Sequence, residues 1–170
     1  MRRKSLCLCG DNLILLYDLE RAVNIVDMSG TLLSTVYKDN DNDPLLKSPR
    51  YINLNRSLDV LHITDWNANT VTAMTLEGHV VSVYKHNKLD GPRGVAVGQD
   101  DSVYVCSYAS HTVHQLSTNG QHVKILLDQQ RGLATYPHAI AFDEDNNRLC
   151  ISSASKRSED KNFVKMFQLE

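Results

Sequence analysis

The chain has 170 residues, 42% hydrophobic and 22% charged, with 18 basic against 20 acidic side chains and a formal net charge of −2. That balance excludes a disordered tail, a collagen-like chain and a strongly basic polyanion binder, and it fits a globular fold. No stretch approaches the roughly 20 consecutive apolar residues that cross a bilayer.

The basic start Met1-Arg2-Arg3-Lys4 runs into Leu6-Cys7-Leu8-Cys9, which Gly10-Asp11-Asn12 interrupt before a signal-peptide core is complete. A strand in a cytoplasmic chain without a membrane role is therefore expected. The run Ile14-Leu15-Leu16-Tyr17-Asp18 follows and belongs to a first unit over residues 5–38. A second unit, 48–85, opens on Ser48-Pro49-Arg50-Tyr51-Ile52. A third, 91–128, opens on Gly91-Pro92-Arg93-Gly94-Val95, and a fourth, 136–169, on Tyr136-Pro137-His138-Ala139-Ile140. The opening prolines stand 43 and 45 residues apart, a period that points to propeller blades. Each unit then carries a second apolar run: Leu61-His62-Ile63-Thr64-Asp65, Val103-Tyr104-Val105-Cys106-Ser107 and Leu149-Cys150-Ile151-Ser152-Ser153. Turn glycines at 30, 78 and 120 close the first three units.

The third unit decides between strands and helices. Gly94-Val95-Ala96-Val97, Val103 to Cys106, Thr112-Val113-His114-Gln115-Leu116 and His122 to Leu127 are short alternating runs, and Asn119-Gly120 joins the last two. Asn-Gly between such runs is a strong hairpin signal, and the connections are too short for helices. The expected fold is all-β: a β-propeller region of about four blades over residues 1–170, each a four-stranded antiparallel sheet.

These residues resemble the NHL repeat, whose unit opens Pro-x-Gly-(Val/Ile)-Ala-Val and continues through a Val-Tyr-Val-Ala-Asp strand, an Asn-His-Arg return and an Asp/Asn-Gly turn. Pro92-Arg93-Gly94-Val95-Ala96-Val97, Val103-Tyr104-Val105-Cys106, Ser110-His111-Thr112-Val113 and Asn119-Gly120 carry the best match. The Asp ending the second strand is kept as Asp18 and Asp65 and replaced by Ser107 and Ser153. The texture is similar to the C-terminal propellers of tripartite-motif proteins, although zinc-ligand spacing and coiled-coil heptads are not seen in this sequence. The resemblance implies a ring of six blades, of which four are visible. Missing blades, self-association or a small closed ring would then complete it.

In such a propeller the first strand of each blade lines the channel. The loops 38–48, 85–91 and 128–136, with 18–21, 65–69, 107–111 and 153–162, share one face, where recognition is expected. Arg50, Arg93 and His138, each just after an opening proline, are expected at the channel rim. Trp66, the only tryptophan, and Tyr108 at the equivalent place in the next blade are candidate aromatic anchors. Trp66 has packing against the neighbouring blade as its alternative. His111, Lys85 and Lys88 complete the candidate partner-binding set.

Asp39-Asn40-Asp41-Asn42-Asp43 begins like a calcium loop, but Pro44 and Arg50 stand where glycine and glutamate are needed, so a polar loop is expected. His111 and His114 have opposite parity and cannot share a metal. The four cysteines are expected as buried thiols, and neither a catalytic residue nor a cofactor is expected. Three functions compete. A non-enzymatic protein-interaction module, resembling the partner-recognition propellers of ubiquitin-ligase-like tripartite-motif proteins, comes first. Single-stranded RNA binding through the loop face is next, disfavoured because those loops sum close to neutral. A metal-dependent propeller hydrolase or lyase is third, disfavoured because the candidate channel strands carry few metal-ligating side chains.

Overall fold

The computed structural model describes residues 3–38, 44–153 and 163–169. It contains four antiparallel sheets, each a meander in chain order. The first is β1 (Arg3–Cys9), β2 (Asn12–Tyr17), β3 (Ala22–Asp27) and β4 (Leu32–Val36). The second is β5 (Pro49–Leu54), β6 (Val60–Asp65), β7 (Thr70–Thr75) and β8 (Val80–Tyr84). The third is β9 (Pro92–Val97), β10 (Val103–Ser107), β11 (Thr112–Leu116) and β12 (His122–Leu127). The fourth has three strands among the described residues, β13 (Pro137–Asp143), β14 (Arg148–Ser153) and β15 (Phe163–Gln168). No helix among the described residues is long and apolar enough to cross a membrane; the one helical turn is Gln129–Arg131.

The repeat is visible in the hydrogen bonds. Gly30 N–H donates to the Asp27 carbonyl, Gly78 to Thr75 and Gly120 to Ser117, closing the same turn between third and fourth strands at 2.8–3.0 Å. The opening strands β1, β5, β9 and β13 pack side by side in sequence, which makes them the inner wall of an arc of blades.

The core lies between sheets, because strands buried on both faces send alternate side chains to different neighbours. In β10, Val103 and Val105 join Val71, Tyr84, Leu89 and Leu116 against the second sheet. Tyr104 and Cys106, one residue out of phase, join Val113, Leu149 and Ile151 against the fourth. Ile14, Leu16, Leu61, Ile63 and Met74 fill the first seam, with Cys7 and Cys9 packed at its edge. All four thiols are free; Cys106 is fully buried as expected, whereas Cys7, Cys9 and Cys150 are only partly buried because they sit at the edges of their seams or on a less covered face.

The inner wall is tight between the third and fourth sheets. A Cβ on Gly94 would stand 2.8 Å from Ala139 Cα and Ile140 N, so the backbones of β9 and β13 approach as only glycine allows. At the ends of the arc, by contrast, sheet faces lack a neighbour among the described residues. Leu6 and Leu8 of β1 are 57% and 60% exposed, and Val164 and Met166 of β15 are 68% and 62% exposed. The Asp39 to Asp43 run and most of the 153–162 loop lie outside the described residues.

Candidate functional site

Each blade delivers its site residues by the same two devices. The first is the residue that ends the second strand. Asp65, 1% exposed, accepts N–H bonds from Lys47, from Ser48 (3.0 Å) and from Ala68 (3.0 Å), so one carboxylate holds both the incoming loop and its own turn. Ser107 does the same work in the third blade with a hydroxyl. It accepts from Asp90 N–H at 2.8 Å and donates to the Asp90 carbonyl at 3.0 Å. The second device follows from the first: the next residue's N–H reaches back to the chain before the proline. Trp66 N–H donates to the Ser48 carbonyl (3.0 Å) and Tyr108 N–H to the Gly91 carbonyl (3.1 Å). Equivalent backbone bonds therefore place the two aromatic residues at equivalent points of adjacent blades.

The arginines lie against these rings. The Arg93 guanidinium centres 4.7 Å from the Trp66 ring and 4.3 Å from the Tyr108 ring, and that of Arg50 5.7 Å from the Trp66 ring. Trp66 and Tyr108 are themselves 5.6 Å apart, and Tyr136 continues the row at 5.0 Å from Tyr108. The result is a row of three rings spanning three blades, flanked by the two arginines. Each cation–π contact contributes about 0.5–2 kcal/mol, more where water is excluded. Arg50 ends the row 3.9 Å from the Asp18 carboxylate of the first blade.

His138 closes the arrangement from the fourth blade. Arg93 Nη1 hydrogen-bonds His138 Nε2; since a guanidinium can only donate, Nε2 must be the bare, accepting nitrogen. The proton then sits on Nδ1, which donates to the Tyr51 hydroxyl oxygen at 3.1 Å. Burial, with the neighbouring Arg93 charge, holds the imidazole below its ordinary pKa, in keeping with a neutral ring. The Arg93 guanidinium is likewise pushed down by its burial. Among the described residues no carboxylate pairs with Arg93, and its Nε, like that of Arg50, is buried without a hydrogen-bond partner.

The structure thus brings Arg50, Arg93, His138, Trp66 and Tyr108 together, with His111 joined through Tyr136. His111 Nδ1 accepts the Tyr136 N–H at 3.0 Å, and its ring meets the Tyr136 ring edge-on at 4.6 Å. Trp66 is half-buried rather than a free anchor. Its ring lies under Gly91, where a Cβ would come within 2.7 Å of two ring carbons. Tyr108 is 6% exposed and forms the floor of the rim. Both therefore pack across the blade seam.

Lys85 and Lys88 stand apart. Both are exposed, on the loop before Gly91, beside a separate cluster in which Tyr84 Oη and His114 Nδ1 share a 2.8 Å hydrogen bond. There the rings of His86 and His122 stack at 4.7 Å. The Lys88 charge helps hold His114 low, after burial and His86. Among the described residues, no group of three or more His, Cys, Asp or Glu side chains is placed to hold a metal ion. At the other end of the inner wall a cavity of about 520 Å³ includes Asn53, Val97 and Phe142, and Arg56 and Glu144 there pair at 2.8 Å. At that end Arg56 has a close ion pair, whereas at the rim Arg93 has no carboxylate partner among the described residues.

Tyr51 and Tyr136 are the site residues that motif reading misses. Tyr51 occupies the place of Gly94 and Ala139 after the proline, so a large side chain there was a visible departure. Tyr136 occupies the place of Gly91 before the proline and adopts the same left-handed backbone, φ +56° against +59°, which a bulky residue seldom tolerates.

No protein-family model and no curated protein matches the sequence. Solved structures do. The chain is similar to Kuenenia stuttgartiensis hydrazine synthase (TM-score 0.78, 14% identity, covering 98% of this chain and 46% of that one). It is similar to a streptogramin B lyase (TM-score 0.67, 16% identity, 99% and 55%). It is also similar to U3-55K (TM-score 0.75, 10% identity, 95% and 51%). The chain spans about half the length of these structures. At such identities the likeness shows the fold alone, and four antiparallel sheets packed in series through their inner strands make this chain a β-propeller-like protein.

Proposed function

We propose that the chain is a non-enzymatic partner-recognition propeller, related to the NHL-repeat family and similar in role to the propellers through which tripartite-motif proteins select partners for ubiquitin-ligase-like assemblies. The motif resemblance supplies the family. The rim supports the site: its rings and cations come from equivalent positions of successive blades, and they include the half-buried Arg93 guanidinium, which has no carboxylate partner among the described residues. Arginine and tryptophan backed by rigid strands are the residue types that dominate protein interfaces.

Single-stranded RNA is the competing ligand. Base stacking needs an open ring face, yet Tyr108 is 6% exposed and guanidiniums lie against Trp66. A protein partner suits a closed, pre-ordered rim better.

The test is affinity capture from cell extract with the chain, an Arg50→Glu variant at the rim and an Arg56→Glu variant at the opposite end. The reading predicts proteins lost with the first variant and retained with the second. Identical capture by both variants, or nucleic acid as the only specific cargo, would overturn it.

A further inference from the structure

We propose that the rim around Trp66 is a receptor for a single carboxylate side chain presented by a protein partner, with Arg93 as its main contact and Arg50 as its second. This rests on the reading of the rim as a partner-binding surface and adds the chemistry that surface selects.

The argument starts from charge. Arg50 and Arg93 lie over one indole, at 5.7 and 4.7 Å, so two like charges share one small region. Arg50 has Asp18 at 3.9 Å, beyond hydrogen-bond distance. Arg93 has two aromatic faces and one neutral imidazole, and no carboxylate among the described residues. A half-buried cation without a counter-ion lacks both the solvation of water and the attraction of a partner. An arriving anion supplies what is missing. The buried, unpartnered Nε atoms of both arginines say the same of hydrogen bonding, because a native structure seldom leaves such donors orphaned.

The geometry has been prepared for that anion. The Arg93 fork is held from several sides, by the Trp66 and Tyr108 rings at 4.7 and 4.3 Å and by the Nη1 hydrogen bond to His138. His138 is itself held by Tyr51. A planar fork held rigid loses little freedom on binding a two-oxygen acceptor, for which guanidinium is suited.

The surroundings limit the anion to one charge on a protein. Asp18 borders Arg50, and Asp90, exposed beside Gly91, lies 3.5 Å from Asn69 Nδ2 in the adjoining loop. A strand of phosphates would meet these carboxylates as well as the two arginines. A lone Asp or Glu side chain need meet only the arginines.

The test needs no known partner. The full chain, labelled with nitrogen-15, is titrated with the blocked tripeptide acetyl-Gly-Glu-Gly-amide, its Gln counterpart, and oligouridylate. Arginine Nε–H resonances and Trp66 fluorescence are followed. The Glu peptide should shift the Arg93 and Arg50 signals saturably and bind at least tenfold more tightly than the Gln peptide. Arg93→Lys, which keeps the charge and loses the fork, should weaken the Glu peptide several-fold, and Arg93→Gln should abolish the discrimination. Arg50→Gln provides a second variant should either fail to fold.

Equal binding of the Glu and Gln peptides, or no saturable shift below about 50 mM, would overturn the carboxylate assignment. Tighter binding of oligouridylate at the same resonances would replace it with a nucleic-acid surface. If proteins captured through the rim bind Arg93→Gln undiminished, the carboxylate proposal fails while the partner-binding reading stands. If capture does not depend on the rim at all, the reading itself fails.

Discussion

Adding one methyl group at Gly91 should reveal how firmly Trp66 is held. Gly91 has φ +59°, and a Cβ there would meet the Trp66 ring at 2.7, 2.7 and 3.2 Å, distances at which something must move. Two costs combine. Alanine in the left-handed region costs about 1–2 kcal/mol, partly offset by about 0.4–1 kcal/mol because the unfolded chain also loses freedom. Forcing extra volume against a packed ring adds about 1–3 kcal/mol. Gly10 separates the two, since its φ is +56° and nothing lies within 4 Å of the position its Cβ would take. Gly10→Ala should therefore destabilise by about 1 kcal/mol and Gly91→Ala by about 2–4 kcal/mol. Urea unfolding followed by far-ultraviolet ellipticity measures both. Trp66→Ala placed in the Gly91→Ala background should recover the steric part. A difference under about 0.5 kcal/mol between the two alanine variants would refute the packing of Trp66 beneath Gly91.

Three further outcomes are expected. His62 and His114 are almost wholly buried, and burial pushes both down to about 4 from an ordinary 6.5. The unfolded chain therefore binds these protons first, so stability falls as pH drops below 6.5 and levels off below 4. Each contributes up to about 3 kcal/mol, and urea midpoints measured between pH 7 and 4 check it; a flat profile contradicts it. Asp65→Ala strands three backbone donors, so it should cost about 3 kcal/mol, against about 1 kcal/mol for Ser107→Ala, read by the same unfolding. Glu144→Gln breaks an ion pair whose side chains are 47% and 55% exposed, and thermal melting should register under about 0.5 kcal/mol.

Much of the fold is legible in the sequence because the signals are local. A proline spacing in the mid-forties, short alternating runs and a turn glycine state the blade, the proline opening three units and the glycine closing three. The rim is legible in part, since Arg50, Arg93 and His138 stand at a constant offset from their prolines. That they meet is a property of the inner wall, where a close approach at Gly94 draws two strands together. Trp66 stayed undecided between open anchor and packed residue, because what covers it is Gly91, a residue 25 positions on and in another blade. Tyr136 was hidden by its backbone, for a tyrosine does not advertise a left-handed conformation. Lys85 and Lys88 looked equivalent to the rim residues because they share a loop with Gly91. Only the end of that loop reaches the inner wall, and its earlier part stays with the histidines on the outer side of the seam.

That every strand among the described residues pairs only with its neighbours in the chain also bears on how the protein is made. The first sheet needs nothing beyond residue 36 to complete its pairings. At about 5–20 residues per second, a ribosome reaches the fourth sheet on the order of ten seconds later. Hairpins form in about 1–10 μs, so each blade has ample time to assemble before the next emerges. During that interval it carries one apolar face waiting for cover, and the surface at risk of aggregation is a single sheet that moves along the nascent chain with synthesis.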